Sequence, residues 1–303
     1  MIGQESSCLA VVDIGSNTVK LSVYRCGAEG PVALVHDADT VRIGFRVSET
    51  GEIAADRVDR LITCLKRYAG TAREHGADRF IGVATQAFRI ARNASDVINR
   101  IGRETPWRIR VIDAAEETRL TIEGARPWIP AGKRTIVADI GGASTELIMV
   151  AANGSVEWGG SLPVGSGLLF DEEIAASPPP PGSMERARDR VASILDDAST
   201  PPRPADLILL PGGTGHFLRL LLDSLDPVAS FTPRSLPVLH EWLSSRPATE
   251  TMARIPVQLE RAQVLPASLA IVEALVLRLD PSEIRAVPSG IRDGVARTAC
   301  PSR

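Results

Sequence analysis

The run Ala10-Val11-Val12-Asp13-Ile14-Gly15 returns later in the chain as Ile136-Val137-Ala138-Asp139-Ile140-Gly141. Each copy is an apolar stretch long enough for one buried strand, closed by an acidic residue and a glycine. Each is followed by a polar turn and a second strand-like stretch. In the first copy Val19, Leu21 and Val23 alternate with Lys20, Ser22 and Tyr24, and in the second Leu147 to Val150 resume the pattern. A strand-turn-strand unit that occurs twice constrains the chain to a duplicated α/β architecture of two lobes.

The remaining periodicity supplies the rest of each lobe. Pro31 to Val35 reads as a third strand, and Val58, Leu61, Ile62, Leu65, Tyr68, Ala69 and Ala72 fall at helical spacing between Asp56 and His75. Arg79 to Ala84 is a strand followed by a helical stretch to about Arg103. Arg108 to Ile112 is another strand, with a helix beginning near Ala115. Prolines break the second half twice, in Ser177 to Ser183 and at Pro201, Pro202 and Pro204. Asp206 to Leu210 then forms a buried strand that runs into Gly212-Gly213-Thr214-Gly215, a glycine turn ahead of a helix over Phe217 to Leu222. Leu259 to Leu279 reads as one long apolar helix kinked near Pro266, and Glu283 to Val287 as the last strand.

Composition removes several function classes. With 303 residues, 44% apolar and 23% charged, the chain supports two cores. A formal charge of -3 gives no general positive field for nucleic acid or anionic lipid, so a polyanion site has to be local. Cys8, Cys26, Cys64 and Cys300 show neither zinc-ligand spacing nor a disulfide framework, and read as reduced thiols. Met1 to Ser7 lacks a signal-peptide pattern, and no uncharged apolar run reaches the roughly 18 residues of a membrane span. These features place the chain in the cytoplasm, with no membrane and no nucleic-acid partner.

Both repeated turns suit phosphate. In Asp13-Ile14-Gly15-Ser16-Asn17-Thr18 and Asp139-Ile140-Gly141-Gly142-Ala143-Ser144-Thr145, glycine permits tight turns whose N–H groups converge on an anion, while Ser16, Asn17, Thr18, Ser144 and Thr145 add donors. Asp13 and Asp139 stand where a carboxylate holds Mg2+ beside phosphate oxygens. Taken singly, each turn is also an ordinary β-hairpin with a capping Asp, and only the repetition favours the anion reading. Gly213 and Thr214 form a third, weaker candidate at a helix start. There is no Gly-x-x-x-x-Gly-Lys-Ser/Thr loop, no Gly-x-Ser-x-Gly and no His-Glu-x-x-His, so carboxylates carry the acid-base work.

Taken in order, Asp13 to Thr18, Ala84-Thr85 with Arg89 and Asn93, Glu116-Glu117, Asp139 to Glu146, Ser161-Leu162-Pro163-Val164-Gly165, Gly212-Gly213-Thr214 and Gly290-Ile291-Arg292-Asp293-Gly294 resemble the exopolyphosphatase and guanosine pentaphosphate phosphohydrolase family. The resemblance implies two α/β lobes of the actin-like kind (ribonuclease H-like, shared with sugar kinases, Hsp70 and actin) with the active site in a cleft between them. The lobes would be residues 1–123 and 124–303, with a last helix over about 290–303 packing back on the first lobe. It also implies Glu117 as the base that activates water, Glu146 joining Asp139 around the cation, and Arg89 on phosphate oxygens, with Arg92 as a helper. The implied activity is release of terminal orthophosphate from inorganic polyphosphate, or from pppGpp, with Mg2+, by a short form without a C-terminal helical domain and with dimerisation as a family expectation.

Two departures bear on that activity. Ala143 stands where the family has a third Gly, which strains the loop if the position requires positive φ. Asp113-Ala114-Ala115 replaces a Ser-Gly approach to the glutamates and brings a charge that repels a polyanion. They motivate a second reading, a weakly catalytic protein that binds polyphosphate or guanosine tetraphosphate. The duplicated hairpins and the turn at Gly213 motivate a third, an ATP-dependent kinase or chaperone-like ATPase.

Overall fold

Cys8–Ile14 forms the first strand, β1, and six of its seven residues are buried. Only a near-continuous apolar run tolerates a position covered on both faces. β1 pairs antiparallel with β2 (Val19–Gly27), which pairs antiparallel with β3 (Gly30–Asp39). The other edge of β1 lies parallel to β4 (Ala77–Ala84), which carries β5 (Arg108–Val111), so the sheet order is β3-β2-β1-β4-β5.

The second sheet repeats this plan. β6 (Thr135–Ile140), β7 (Thr145–Val150) and β8 (Val156–Leu162) form an antiparallel meander. β9 (Leu207–Pro211) lies parallel to β6, and β10 (Glu283–Val287) lies parallel to β9. Its order β10-β9-β6-β7-β8 is the first sheet's order in reverse. The duplication read from two short segments therefore extends to five strands with the same connectivity, and the class is the two-lobed α/β fold of the ribonuclease H-like kind.

The computed structural model describes residues 7–197 and 205–300, so the proline break at Pro201, Pro202 and Pro204 lies outside the described residues. The chain divides into two compact units, one of Met1–Gly124 with Gly290–Arg303 and one of Ala125–Ser289. In the first unit Ala10, Val12 and Ile14 point to one face of the sheet, where they meet Leu61, Leu65 and Tyr68 from the helix Ala55–Glu74. Leu9 and Val11 point to the other, against Leu120 of the helix Ala114–Ala125 and Ile291, Val295 and Ala296 of the helix Ile291–Ala299.

Those last two helices touch backbone to backbone. A Cβ on Gly294 would lie 2.0 Å from the Leu120 carbonyl oxygen, and one on Gly124 would lie 2.2 Å from that of Gly290. Tyr24 donates to Asp293 at 3.0 Å, and Arg292 donates to the Leu21 carbonyl. One expectation fails here. Cys26 and Cys300, read as reduced thiols, are joined as a disulfide with Cα atoms 5.3 Å apart. They are separated by 274 residues, so spacing gave no sign that β2 and the C-terminal helix bring them together.

In the second unit the helix Leu265–Leu279 is the buried centre, packed with the helix Ser183–Asp197. The long apolar segment is two helices, since Leu259–Gln263 ends at Val264. Pro266 sits in the first turn of the longer one, where its missing N–H costs no bond, and so causes no kink. Its apolar length serves this core. The helical stretch between β4 and β5 likewise splits, into Gln86–Ile90 and Ala94–Glu104.

Candidate active site

Both hairpins close with the same bond. The Gly15 N–H donates to the Thr18 carbonyl at 3.1 Å, and the Gly141 N–H donates to the Ser144 carbonyl at 2.9 Å. A threonine just beyond the parallel strand beside each hairpin braces it, as Thr85 donates through its N–H to the Ile14 carbonyl at 3.3 Å and Thr214 donates through its hydroxyl to the Ile140 carbonyl at 3.3 Å. In the first unit Ser16, Asn17 and Thr18 are partly exposed at the turn.

Residues 165–168 support the second hairpin. The N–H groups of Ser166, Gly167 and Leu168 donate to the Gly141 and Gly142 carbonyls at 2.8 to 2.9 Å. Gly165 is required, because a Cβ there would sit 2.5 Å from the Ala143 nitrogen. With its carbonyls engaged from behind, the 141–144 turn is fixed as a nest of N–H groups. Ala143 is absent from the residues with positive φ, so the third glycine of the resemblance is not needed for backbone conformation. The Thr145 hydroxyl is buried and donates to the Val164 carbonyl at 2.7 Å, a structural bond.

The two units differ in what faces the repeated Asp. Across β1 and β2, Asp13 lies opposite Lys20, whose ammonium is 3.9 Å from the carboxylate. Across β6 and β7, Asp139 lies opposite Glu146. Directly opposed side chains share a face of the sheet, where like charges repel. Glu146 is 3% exposed and accepts a bond from Ser161 at 2.9 Å, which fixes its direction. Two opposed carboxylates are a donor set that fits a hard divalent cation, and Mg2+ uses one or two protein carboxylates with water and phosphate completing its shell. Among the described residues no group of three or more His, Cys, Asp or Glu side chains forms a closed cage. In the first unit Asp13 has a buried Oδ1 without a hydrogen-bond partner.

Glu117 lies in the first turn of the helix Ala114–Ala125 and is 5% exposed. Arg89 donates to its carboxylate at 2.6 Å and to the Ile112 carbonyl at 3.0 Å. The arginine expected on phosphate is thus also the group that orients the expected base. Glu116 points elsewhere. It pairs with Arg110 at 2.6 Å, and that hydrogen bond holds its carboxyl below the usual range. Asp113 caps the helix, accepting from the Glu116 N–H at 2.8 Å. Its charge has a local structural use that the sequence reading, which cast it as a repulsive element, did not supply. Arg92 donates to the Thr50 carbonyl and pairs with Glu52, so it is engaged away from the Arg89 and Glu117 pair.

Gly212 to Gly215 prove not to be a turn before a helix. The helix Gly212–Leu225 begins at Gly212, after Pro211, so Gly213 and Thr214 are its first turn. Two close contacts explain the glycines. A Cβ on Gly215 would lie 2.4 Å from the Leu210 carbonyl, and one on Gly213 would lie 3.2 Å from Arg261. Arg261 is the residue that sequence reasoning missed. Its guanidinium donates to the Thr214 hydroxyl at 2.9 Å, and burial lowers its pKa to about 10 against the opposing pull of Asp139, leaving it charged at neutral pH. The only signal was a cation shortly ahead of the apolar run Leu265 to Val272.

Two five-stranded sheets of mirrored order, each with an Asp-ended hairpin at its centre, define the class as the ribonuclease H-like fold. The family model of the Ppx/GppA phosphatase family matches residues 22–302, and the chain belongs to that family; it is a phosphohydrolase. The exopolyphosphatase 1 of Mycobacterium leprae is 30% identical over 95% of this chain and 88% of its own length. The Aquifex aeolicus PPX-GPPA enzyme is 26% identical, with a TM-score of 0.75 over 96% of this chain and 99% of its own. An exopolyphosphatase from Cytophaga hutchinsonii, 21% identical, shares the fold with a TM-score of 0.85, over 97% of this chain and 98% of its own.

Proposed function

We propose that this chain is an exopolyphosphatase, releasing terminal orthophosphate from inorganic polyphosphate, with Glu117 as the base. The observation that carries the assignment of the base is the Arg89 to Glu117 pair, which presents a directed, buried carboxylate at a helix start. Phosphoryl transfer needs positioning and charge neutralisation more than covalent chemistry. Ser16, Asn17 and Thr18 in the first unit and the N–H groups of Gly142, Ala143 and Ser144 in the second are the donors offered to phosphate oxygens. Glu117 aligns water for in-line attack and takes its proton, while Arg89 donates hydrogen bonds to phosphate oxygens. Asp139 and Glu146 in the second unit would hold Mg2+, whose chemistry is to neutralise the phosphate oxygens and the leaving group, and Asp13 is the corresponding carboxylate candidate of the first unit. The reading carries with it a cytoplasmic enzyme without a nucleic-acid partner.

Purified protein incubated with Mg2+ and polyphosphate, pppGpp or ATP tests this directly. Phosphate release from polyphosphate, lost by at least about a thousandfold in Glu117→Ala with the fold retained, is the expected result. Turnover confined to pppGpp would make the chain a guanosine pentaphosphate phosphohydrolase, and equal rates for the variant would remove Glu117 from the mechanism.

A further inference from the structure

The helix Ile291–Ala299 lies across two parts of the first unit that carry candidate site residues. At its start Arg292 donates to the Leu21 carbonyl of β2, and the Tyr24 hydroxyl of the same strand donates to Asp293 at 3.0 Å. β2 is the second strand of the hairpin that turns through Ser16, Asn17 and Thr18. Gly294 packs on the Leu120 carbonyl, and Leu120 follows Glu117 by one turn in the helix Ala114–Ala125. Just past Ala299 the chain reaches Cys300, which is joined to Cys26 near the end of β2.

The two ends of this helix are held differently. The first turn has the bonds from Arg292 and Tyr24. At the far end the Arg79 bond to the Ala299 carbonyl, 3.2 Å long, is exposed, and the disulfide adds a covalent hold. It joins residues 274 apart in sequence, and a crosslink constrains the unfolded chain most when the loop it closes is long. Its sulfurs are unequal, because Cys300 is 4% exposed while Cys26 is half-buried, so an attacking thiolate reaches Cys26 first. The other two cysteines do not compete. Burial pushes the Cys64 thiol up to about 12, and Cys8 packs toward the opposite face of the sheet.

We propose that Cys26 and Cys300 form a reversible thiol–disulfide site whose oxidised form straps the helix Ile291–Ala299 across β2 and the helix bearing Glu117. A dithiol opens it by attack of one thiolate on the Cys26 sulfur. The S–S bond breaks, Cys300 leaves as a thiolate and takes a proton, and the second thiol then displaces Cys26 from the mixed disulfide. Two electrons pass to the protein, two cysteine thiols form, and the dithiol ends as a disulfide; an oxidised dithiol runs the exchange backwards. Without the crosslink the helix is left on its first-turn bonds, the packing at Leu120 loosens, and Glu117 is held less firmly. The effect on rate rests on the reading of Glu117 as the base, whereas the thiol chemistry does not.

The test alkylates the purified, oxidised chain with iodoacetamide before and after dithiothreitol, and follows phosphate release, circular dichroism and amide hydrogen exchange in both states. Cys26 and Cys300 should be alkylated only after reduction. Reduction should lower kcat on polyphosphate roughly tenfold with KM little changed, and should speed exchange in Ala114–Ala125 as well as in Ile291–Ala299 with the fold retained. Cys26→Ser and Cys300→Ser should each match reduced wild type and ignore dithiothreitol, whereas Cys8→Ser should behave as wild type. Thiols free before reduction, a kcat unchanged by it, or faster exchange confined to Ile291–Ala299 would overturn the proposal, as would loss of the fold on reduction. If wild type releases no phosphate, or Glu117→Ala releases as much as wild type, the reading of the base fails by itself. Exchange in Ala114–Ala125 then decides: faster exchange on reduction sustains the strap, and unchanged exchange overturns it.

Discussion

Replacing Arg89 by Met removes the guanidinium that Glu117 accepts from at 2.6 Å, while the carboxylate stays in a pocket that leaves its side chain 6% exposed. Breaking a buried pair from one side costs about 3 kcal/mol, because the remaining charge keeps its desolvation penalty. Glu117→Gln strands Arg89 less severely, since the arginine is 22% exposed and keeps its bond to the Ile112 carbonyl. That substitution costs about 1 kcal/mol. The double variant should therefore fall about 2 kcal/mol short of the sum of the two, a coupling within the range of directly bonded pairs. Equilibrium urea unfolding of the four proteins measures it, with phosphate release followed in parallel. Additive losses, or a larger loss from Glu117→Gln than from Arg89→Met, would refute the argument that arginine makes the buried carboxylate tolerable.

If Asp139 and Glu146 hold the cation, Glu146→Gln should raise the Mg2+ concentration needed for half-maximal phosphate release roughly tenfold to a hundredfold. An unchanged Mg2+ titration would remove Glu146 from the metal site. His240 lies between Glu273 at 2.9 Å and Glu185 at 3.4 Å, and the bond to Glu273 raises its pKa above the ordinary imidazole value. A pKa higher in the folded state gives stability that is complete below the unfolded value and disappears as pH rises through the folded one. His240→Gln should therefore lower the melting temperature more at about pH 6 than at about pH 9, and a pH-independent difference would contradict this.

The hairpins were legible because their chemistry is local. An apolar run, an Asp, a glycine and hydroxyl residues lie within one short segment, and the second copy at Asp139 marks the duplication that the two sheets share. The flanking strands followed from alternation. What stayed hidden depends on residues distant in sequence. The Cys26 to Cys300 pair, the contact of Gly294 on Leu120 and the reach of Arg261 to Thr214 each need the completed fold to exist. The glycines at 212, 213 and 215 misled for a related reason. Glycine is read as a turn former, and Gly212 at φ 73 does use left-handed backbone, whereas Gly213 and Gly215 admit close neighbours within the first turn of a helix. Val264 breaks the apolar stretch without any proline or glycine at that position.

The return of residues 290–300 to the first unit gives the protein an order of assembly. Residues 125–289 are contiguous and complete as they leave the ribosome, so the second unit can mature while the first still lacks a helix. Until Ile291, Val295 and Ala296 arrive, the cluster around Leu120 on the helix bearing Glu117 lacks part of its packing. Glu117 therefore gains that support only after residues 125–289 have been made, and a chain cut short before Ile291 carries both hairpins without it.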